Sequence, residues 1–79
     1  MNIRPCVIGL GYVGLPVLLN LSKKFQTFGF DVNKKRILDL KKNIDSTKEY
    51  RQNDLKILKS ARLTYNLNDI KKSNFYIIC

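Results

Sequence analysis

Histidine is absent from this 79-residue sequence, and cysteine occurs only at Cys6 and Cys79. The two cysteines lie 73 positions apart and form no C-x-x-C pair. A chain with no histidine and no clustered cysteines indicates neither a metal site nor a disulfide framework. We therefore expect a reduced, cytoplasmic protein without a metal, in which both cysteines act as small hydrophobic residues.

Long apolar runs are missing as well. The apolar N-terminal stretch is interrupted by Gly9, Gly11, Gly14 and Pro16 and is closed by Lys23-Lys24. No run reaches the roughly 18 residues that a membrane-spanning helix needs, and no signal peptide is recognisable. We expect no contact with a membrane.

Acidic residues are scarce, since 6 Asp and Glu stand against 15 Lys and Arg, for a net charge of +9. An excess of this size raises nucleic acid as a partner. No helix-turn-helix, zinc-finger or RNP pattern accompanies it, and several lysine pairs fall in the last turns of predicted helices, where cations complement the helix dipole. We expect no nucleic-acid partner, and a small basic nucleic-acid-binding module stays open as the alternative.

The chain is also short, because single domains cluster around about 100 to 150 residues. Its composition, 44% hydrophobic and 10% aromatic, is nevertheless that of a globular chain. Either something helps the chain to fold, or it is a piece of something larger. A standalone half-domain that dimerises through its open sheet edges is a further alternative.

Four short apolar runs predict four strands. Cys6-Val7-Ile8 is apolar at consecutive positions, as in a strand buried on both faces, with Pro5 just before it. The last run, beginning at Phe75, is likewise predicted to be a buried strand. The predicted strands span residues 6–8, 27–31, 63–65 and 75–79.

Helical patterns separate these runs. The second helix is expected to bury Ile37, Leu40 and Ile44 on one face, and Asn66 is expected to cap the last helix. The predicted helices span residues 12–25, about 34–43, about 55–60 and 67–71. The alternation predicts an α/β fold with a parallel sheet, right-handed crossovers and strand order 3-2-1-4, the first half of a doubly wound, Rossmann-like fold.

A glycine-rich segment between the first strand and the first helix is the main candidate site. Gly9-Leu10-Gly11-Tyr12-Val13-Gly14 has the form G-x-G-x-x-G. Gly9 permits a tight turn, Gly11 lets the backbone approach a pyrophosphate, and Gly14 lets the helix pack closely on the strand. The free N–H groups at the helix start would then hold two phosphates.

Asp31 ends the second strand 22 positions after Gly9, where a dinucleotide fingerprint places an acidic residue that binds ribose hydroxyls. Its charge would repel a 2′-phosphate, which favours NAD over NADP. The basic cluster Lys34-Lys35-Arg36 argues the other way, because it would attract that phosphate. The alternative interpretation is three turn glycines and a solvated carboxylate.

Four segments together resemble the start of the nucleotide-sugar 6-dehydrogenases, the UDP-glucose and GDP-mannose dehydrogenase superfamily. They are Val7–Pro16, Gly29–Asn33, Asp45-Ser46-Thr47 and Phe75–Ile78. The stretch from Lys34 to Thr47 is most similar to the branch that oxidises UDP-N-acetylglucosamine or UDP-N-acetylgalactosamine for bacterial capsule and O-antigen polysaccharides.

The resemblance implies how this chain would bind NAD. The backbone of Tyr12 and Val13 would lie along the diphosphate, Asp31 would bind the ribose, and Arg36 would lie beside the adenosine. The family oxidises the sugar C6 alcohol to a carboxylate with two NAD, through a thiohemiacetal and a thioester on a catalytic cysteine.

The family's catalytic cysteine, lysine and asparagine follow much later in its sequences, and neither cysteine of this chain matches the nucleophile. Residues 1–79 are therefore expected to be an incomplete N-terminal NAD-binding domain that has no catalytic residue and lacks the substrate-binding and C-terminal domains. The UDP-sugar would bind only to the full-length parent, which is expected to be a homo-oligomer.

Overall fold

The computed structural model describes residues 2–79, which form a four-stranded parallel sheet with helices on its faces. The strand order is β3-β2-β1-β4, so the predicted fold class and strand order are confirmed. The elements are β1 (Pro5–Ile8), α1 (Gly14–Ser22), β2 (Phe28–Phe30), α2 (Lys34–Lys41), a long 3₁₀ helix (Gln52–Ser60), β3 (Arg62–Thr64), a short 3₁₀ helix (Leu67–Ile70) and β4 (Phe75–Ile78).

The central strand β1 pairs with β2 on one side and β4 on the other. Val7 lies opposite Gly29 of β2 and Ile77 of β4. The strand starts one residue earlier than predicted, because Pro5 is paired in register with Phe75. As the first residue of the strand, Pro5 occupies a position where its missing N–H is tolerated.

Helix α2 is bounded by two asparagines, one before its start and one after its end. Helix α2 starts after Asn33, whose side chain accepts a hydrogen bond from the Arg36 N–H, and it ends at Lys41. Asn43 then adopts a positive φ of 62°, which turns the chain out of the helix. Ile44, expected on the buried face of this helix, is consequently half exposed.

Helix α1 is shorter than the predicted span of 12–25. Its start moves to Gly14 because residues 9–13 form the turn that leaves β1. At its other end the helix stops at Ser22, and two hydrogen bonds of the tight-turn type follow. The cap predicted at Asn66 is confirmed, since its side chain accepts a hydrogen bond from the Asn68 N–H.

The main core lies on one face of the sheet, between the strands and three helices. Val7 points to this face, and Gly29 leaves room there for Leu18 and Leu63, which a Cβ at residue 29 would crowd. The buried apolar residues of this core are Val7, Leu10, Leu15, Leu18, Leu19, Ile37, Leu40, Leu55, Leu58 and Leu63. A smaller cluster on the opposite face contains Cys6, Phe28, Phe30 and Ile70.

Strand β4 is not the buried strand that its sequence predicts. Phe75 and Tyr76 are exposed, and Ile78 is 81% exposed. The strand lies at the edge of the sheet, beside β1. Within residues 2–79, no helix is long and apolar enough to cross a membrane.

Candidate functional site

The glycine-rich turn leaves the carboxyl end of β1, at the edge of the sheet where parallel folds bind ligands. Gly9 has a φ of 96°, which an L side chain rarely adopts, and its N–H donates to the Phe30 carbonyl at 2.8 Å. At Gly14, a Cβ would collide with the carbonyl oxygen of Gly9. Both glycines are therefore required by the close return of the turn onto β1.

Gly11 has a different role, because its side of the turn is open. A Cβ at this position would meet nothing within 4 Å. The neighbouring Tyr12 and Val13 are both exposed. Helix α1 starts here with no side-chain cap and no acidic residue in its first turn. The positive end of the helix is thus free to hold an anion.

Asp31 fastens the turn to the end of β2. Its Oδ2 accepts a hydrogen bond from the Leu10 N–H at 2.9 Å, and its Oδ1 accepts one from the Asn33 N–H at 2.9 Å. Each carboxylate oxygen keeps a further lone pair, so the group remains able to accept hydrogen bonds from hydroxyls of a ligand.

Arg36 holds the same turn from the other side. Its Nε donates to the Leu10 carbonyl at 2.7 Å, and its Nη1 donates to Asp45 Oδ1 at 2.7 Å. The two side chains are only 6% and 0% exposed. Leu10 therefore has its N–H bound by one charged side chain and its carbonyl bound by another.

Asp45 organises the loop that follows α2. Its carboxylate accepts hydrogen bonds from the Thr47 hydroxyl and from the N–H groups of Thr47, Glu49 and Tyr50. Burial alone would raise the pKa of Asp45, but the hydrogen bonds from Thr47, Arg36 and the backbone outweigh it and lower the pKa to about 2. The buried carboxylate is thus charged at neutral pH.

The sequence pointed to Asp45 only as part of the segment Asp45-Ser46-Thr47 and did not pair it with Arg36. Nine positions separate the two residues. The one available signal was an acidic residue within reach of a basic helix start, followed at Thr47 by a group able to bind it. That signal is too common to identify a buried pair.

A cavity of about 270 Å³ lies between the turn, the end of β2, α2 and this loop. It brings together four of the sequence-predicted site residues: Gly11, Tyr12, Asp31 and Arg36. The cavity is lined by Gly11, Tyr12, Asp31, Asn33, Lys35, Arg36, Asp39, Ser46 and Thr47. Gly9, Val13 and Gly14 do not line it, and they belong to the turn and the helix start beside it.

One nitrogen of Arg36 has no partner. Its Nη2 is buried and makes no hydrogen bond to any of the described residues 2–79. A buried guanidinium N–H without an acceptor is costly, so its presence in a residue that lines a cavity points to an acceptor supplied by a ligand or water.

The two other basic residues of the cluster are exposed but also have partners. Lys35 Nζ donates to Asp39 Oδ2 at 2.8 Å, one helical turn along α2. Lys34 Nζ lies 5.5 Å from the centre of the Tyr65 ring, within the range of a cation–π contact.

Neither cysteine lines the cavity. Cys6 is fully buried in β1, and burial raises the pKa of its thiol to about 11. Cys79 is exposed and follows β4, with its N–H donating to the Ile8 carbonyl beside the glycine-rich turn.

The sequence matches the model of the UDP-glucose/GDP-mannose dehydrogenase family, NAD binding domain, over residues 1–79. It is 45% identical over 77 residues to UDP-N-acetyl-D-glucosamine 6-dehydrogenase of Salmonella typhi, and the aligned region covers 98% of this chain and 18% of that protein. It is 46% identical over 78 residues to Protein CapL of Staphylococcus aureus, with 99% and 18% coverage. The chain thus spans about a fifth of the length of the curated relatives that it matches.

A solved structure has the same fold. UDP-D-ManNAc dehydrogenase from Pyrococcus horikoshii superimposes with a TM-score of 0.87 at 28% sequence identity. The superposition covers 98% of this chain and 20% of that one.

Proposed function

This chain belongs to the UDP-glucose/GDP-mannose dehydrogenase family, whose NAD-binding domain it matches, and we propose that it is the N-terminal NAD-binding part of a UDP-sugar 6-dehydrogenase. The proposed reaction is oxidation of the C6 alcohol of a UDP-N-acetylhexosamine to the carboxylate with two NAD. The names of relatives from Salmonella typhi and Pseudomonas aeruginosa support this substrate class. The resemblance of residues 34–47 to the branch that serves capsule and O-antigen polysaccharides supports a place in surface-polysaccharide synthesis.

The observation that carries the cofactor assignment is the open glycine-rich turn held by Asp31. The space above Gly11 and the uncapped start of α1 fit a diphosphate, which needs backbone N–H groups and no Cβ in its way. The carboxylate of Asp31 lies at the end of β2 with lone pairs available for ribose hydroxyls. Arg36 lines the same cavity, and its buried Nη2 has no hydrogen-bond partner among residues 2–79.

The residues of this chain would therefore bind and orient the adenosine half of the dinucleotide. Tyr12 and Val13 would contribute the backbone along the diphosphate, as part of the first turn of α1. Asp31 would hold the ribose and Arg36 would lie beside the adenosine, and both also fix Leu10 in the turn. Bound NAD supplies the hydride acceptor for the oxidation.

We propose that none of these 79 residues is catalytic. A nucleophilic cysteine needs an accessible thiolate, and Cys6 has neither access nor a lowered pKa, since burial raises it to about 11. Cys79 lies at the end of β4 beside the turn, on the side proposed for NAD. The catalytic groups and the UDP-sugar site then belong to other parts of a longer parent, which we propose to be a cytoplasmic homo-oligomer.

A titration of the isotope-labelled chain with NAD, followed by NMR, tests the assignment. We expect weak binding, with the largest shift changes at the amides of Gly11, Tyr12 and Val13. The variant Gly11→Val should lose roughly tenfold or more in affinity, which corresponds to about 1.4 kcal/mol. Because a Cβ at Gly11 meets no atom of the chain, the variant should remain folded.

The matched control introduces the same side chain at an exposed site on the long 3₁₀ helix, as Lys56→Val. This variant should bind NAD as the parent chain does. Binding by Gly11→Val that is as strong as binding by the parent chain would show that the dinucleotide lies elsewhere.

A further inference from the structure

The basic cluster after β2 is electrically satisfied within the chain. Arg36 is paired with Asp45 in the interior, and Lys35 is paired with Asp39 at the surface. Lys34 lies over the ring of Tyr65. The two cations that line the cavity, Lys35 and Arg36, therefore each have a carboxylate partner.

Five charged residues lie in or next to the cavity. Asp31, Asp39, Lys35 and Arg36 line it, and Asp45 binds Arg36 from behind. Three carboxylates against two cations give the site one net negative charge. Such a site suits the hydroxyl of a ribose and disfavours a phosphate dianion in its place.

The two ion pairs differ in their surroundings. The side chains of Arg36 and Asp45 are 6% and 0% exposed, whereas those of Lys35 and Asp39 are 80% and 18% exposed. Because water screens a surface pair far more than a buried one, Asp45 controls the field of Arg36 more strongly than Asp39 controls that of Lys35.

We propose that Asp45 determines cofactor specificity by keeping the Arg36 guanidinium paired, so that the cavity accepts a ribose with a free 2′-hydroxyl and rejects a 2′-phosphate. Asp45 acts through Arg36, so it is a positioning residue. The inference rests on the proposed function, because it places the adenosine ribose in this cavity. It adds a second determinant to Asp31, whose carboxylate lies among the lining residues.

The test compares two probes that differ only in the 2′-phosphate, 5′-AMP and 2′,5′-ADP. Their affinities for the full 79-residue chain are measured by NMR titration with the Gly11 amide as reporter. In Asp45→Asn, Arg36 is free to bind phosphate, and the affinity ratio should shift toward 2′,5′-ADP by roughly tenfold or more. Loss of structure alone would weaken both probes together and leave the ratio unchanged.

The matched control is Asp39→Asn, which makes the same change in net charge at the same cavity but on the exposed pair. Its ratio should shift by less than about fivefold. Equal shifts in the two variants, or no shift in an Asp45→Asn variant that remains folded, would overturn the proposal.

If Asp45→Asn fails to fold, a third variant tests the role of Asp45. In Asp31→Asn the repelling carboxylate is gone, but Arg36 remains paired with Asp45. The chain should still prefer 5′-AMP, and equal or tighter binding of 2′,5′-ADP would refute the role of Asp45. If the parent chain binds neither probe, the proposed cofactor site itself is wrong, and the inference fails with it.

Discussion

The buried ion pair of Arg36 and Asp45 should contribute strongly to the free energy of unfolding, and the exposed pair of Lys35 and Asp39 provides a control within the same chain. Substituting Asp45 by Asn removes the partner of a guanidinium that is 6% exposed. Breaking a buried pair in this way costs about 3–5 kcal/mol, because the remaining charge stays buried without compensation. The amide nitrogen of Asn would also face the N–H groups of Glu49 and Tyr50, which now donate to Asp45 Oδ2.

The control is Asp39→Asn, which breaks an ion pair of nearly the same length. That pair joins Nζ and Oδ2 at 2.8 Å, against 2.7 Å for the buried pair, but its Lys35 is 80% exposed. An exposed pair of this kind contributes about 0–1 kcal/mol. The two variants should therefore differ by several kcal/mol, although the substitution is the same and the two distances are similar.

Urea unfolding followed by circular dichroism measures both variants against the parent chain. The free energy of unfolding is obtained from each midpoint and slope. The double variant Arg36→Met/Asp45→Asn should recover part of the loss, because it removes the guanidinium that Asp45→Asn leaves buried without a charged partner, while the amide oxygen still accepts hydrogen bonds from the loop. Equal destabilisation by the two Asn variants would refute the claim that burial makes the pair with Asp45 important.

Three further predictions concern the charge of Asp45, the glycines of the turn and the two cysteines. The pKa of Asp45 is lowered from 3.8 to about 2. Its charge should therefore contribute about 2 kcal/mol to the free energy of unfolding above pH 4, and this contribution should be lost as the pH falls toward 2. The urea midpoint measured as a function of pH tests this expectation. Gly14→Ala should destabilise the chain strongly because the new Cβ collides with the carbonyl of Gly9, whereas Gly11→Ala should leave the urea midpoint almost unchanged. A thiol reagent should label the exposed Cys79 rapidly and Cys6 only on unfolding, because Cys6 is buried and its pKa is raised to about 11. Two fast-reacting thiols in the folded chain would contradict the buried position of Cys6.

Some predictions from the sequence were wrong at particular residues for a common reason. Ile44 has the spacing of a core residue, but the positive φ at Asn43 turns the chain before the helix reaches it. Phe75 and Ile78 have the composition of a buried strand, but β4 lies at the edge of the sheet. Periodicity indicates which side chains are apolar, whereas their burial depends on what packs over them.

The sequence by itself determined the order of elements, the parallel sheet with order 3-2-1-4 and the position of the glycine-rich turn. These features follow from local signals: apolar runs, helical spacing, glycine positions and the fixed hand of crossover connections. The sequence also placed Asp31 at the end of β2, because the spacing from Gly9 depends only on the lengths of one helix and two turns.

Only the tertiary structure decided what the charged residues do. It placed Arg36 between Leu10 and Asp45, and it made Asp45 the hydrogen-bond acceptor around which the loop after α2 is arranged. The energy of a charge depends on its burial and on the partners that reach it, and residues distant in the chain supply both. The same substitution of Asp by Asn is therefore expected to be mild at residue 39 and severe at residue 45.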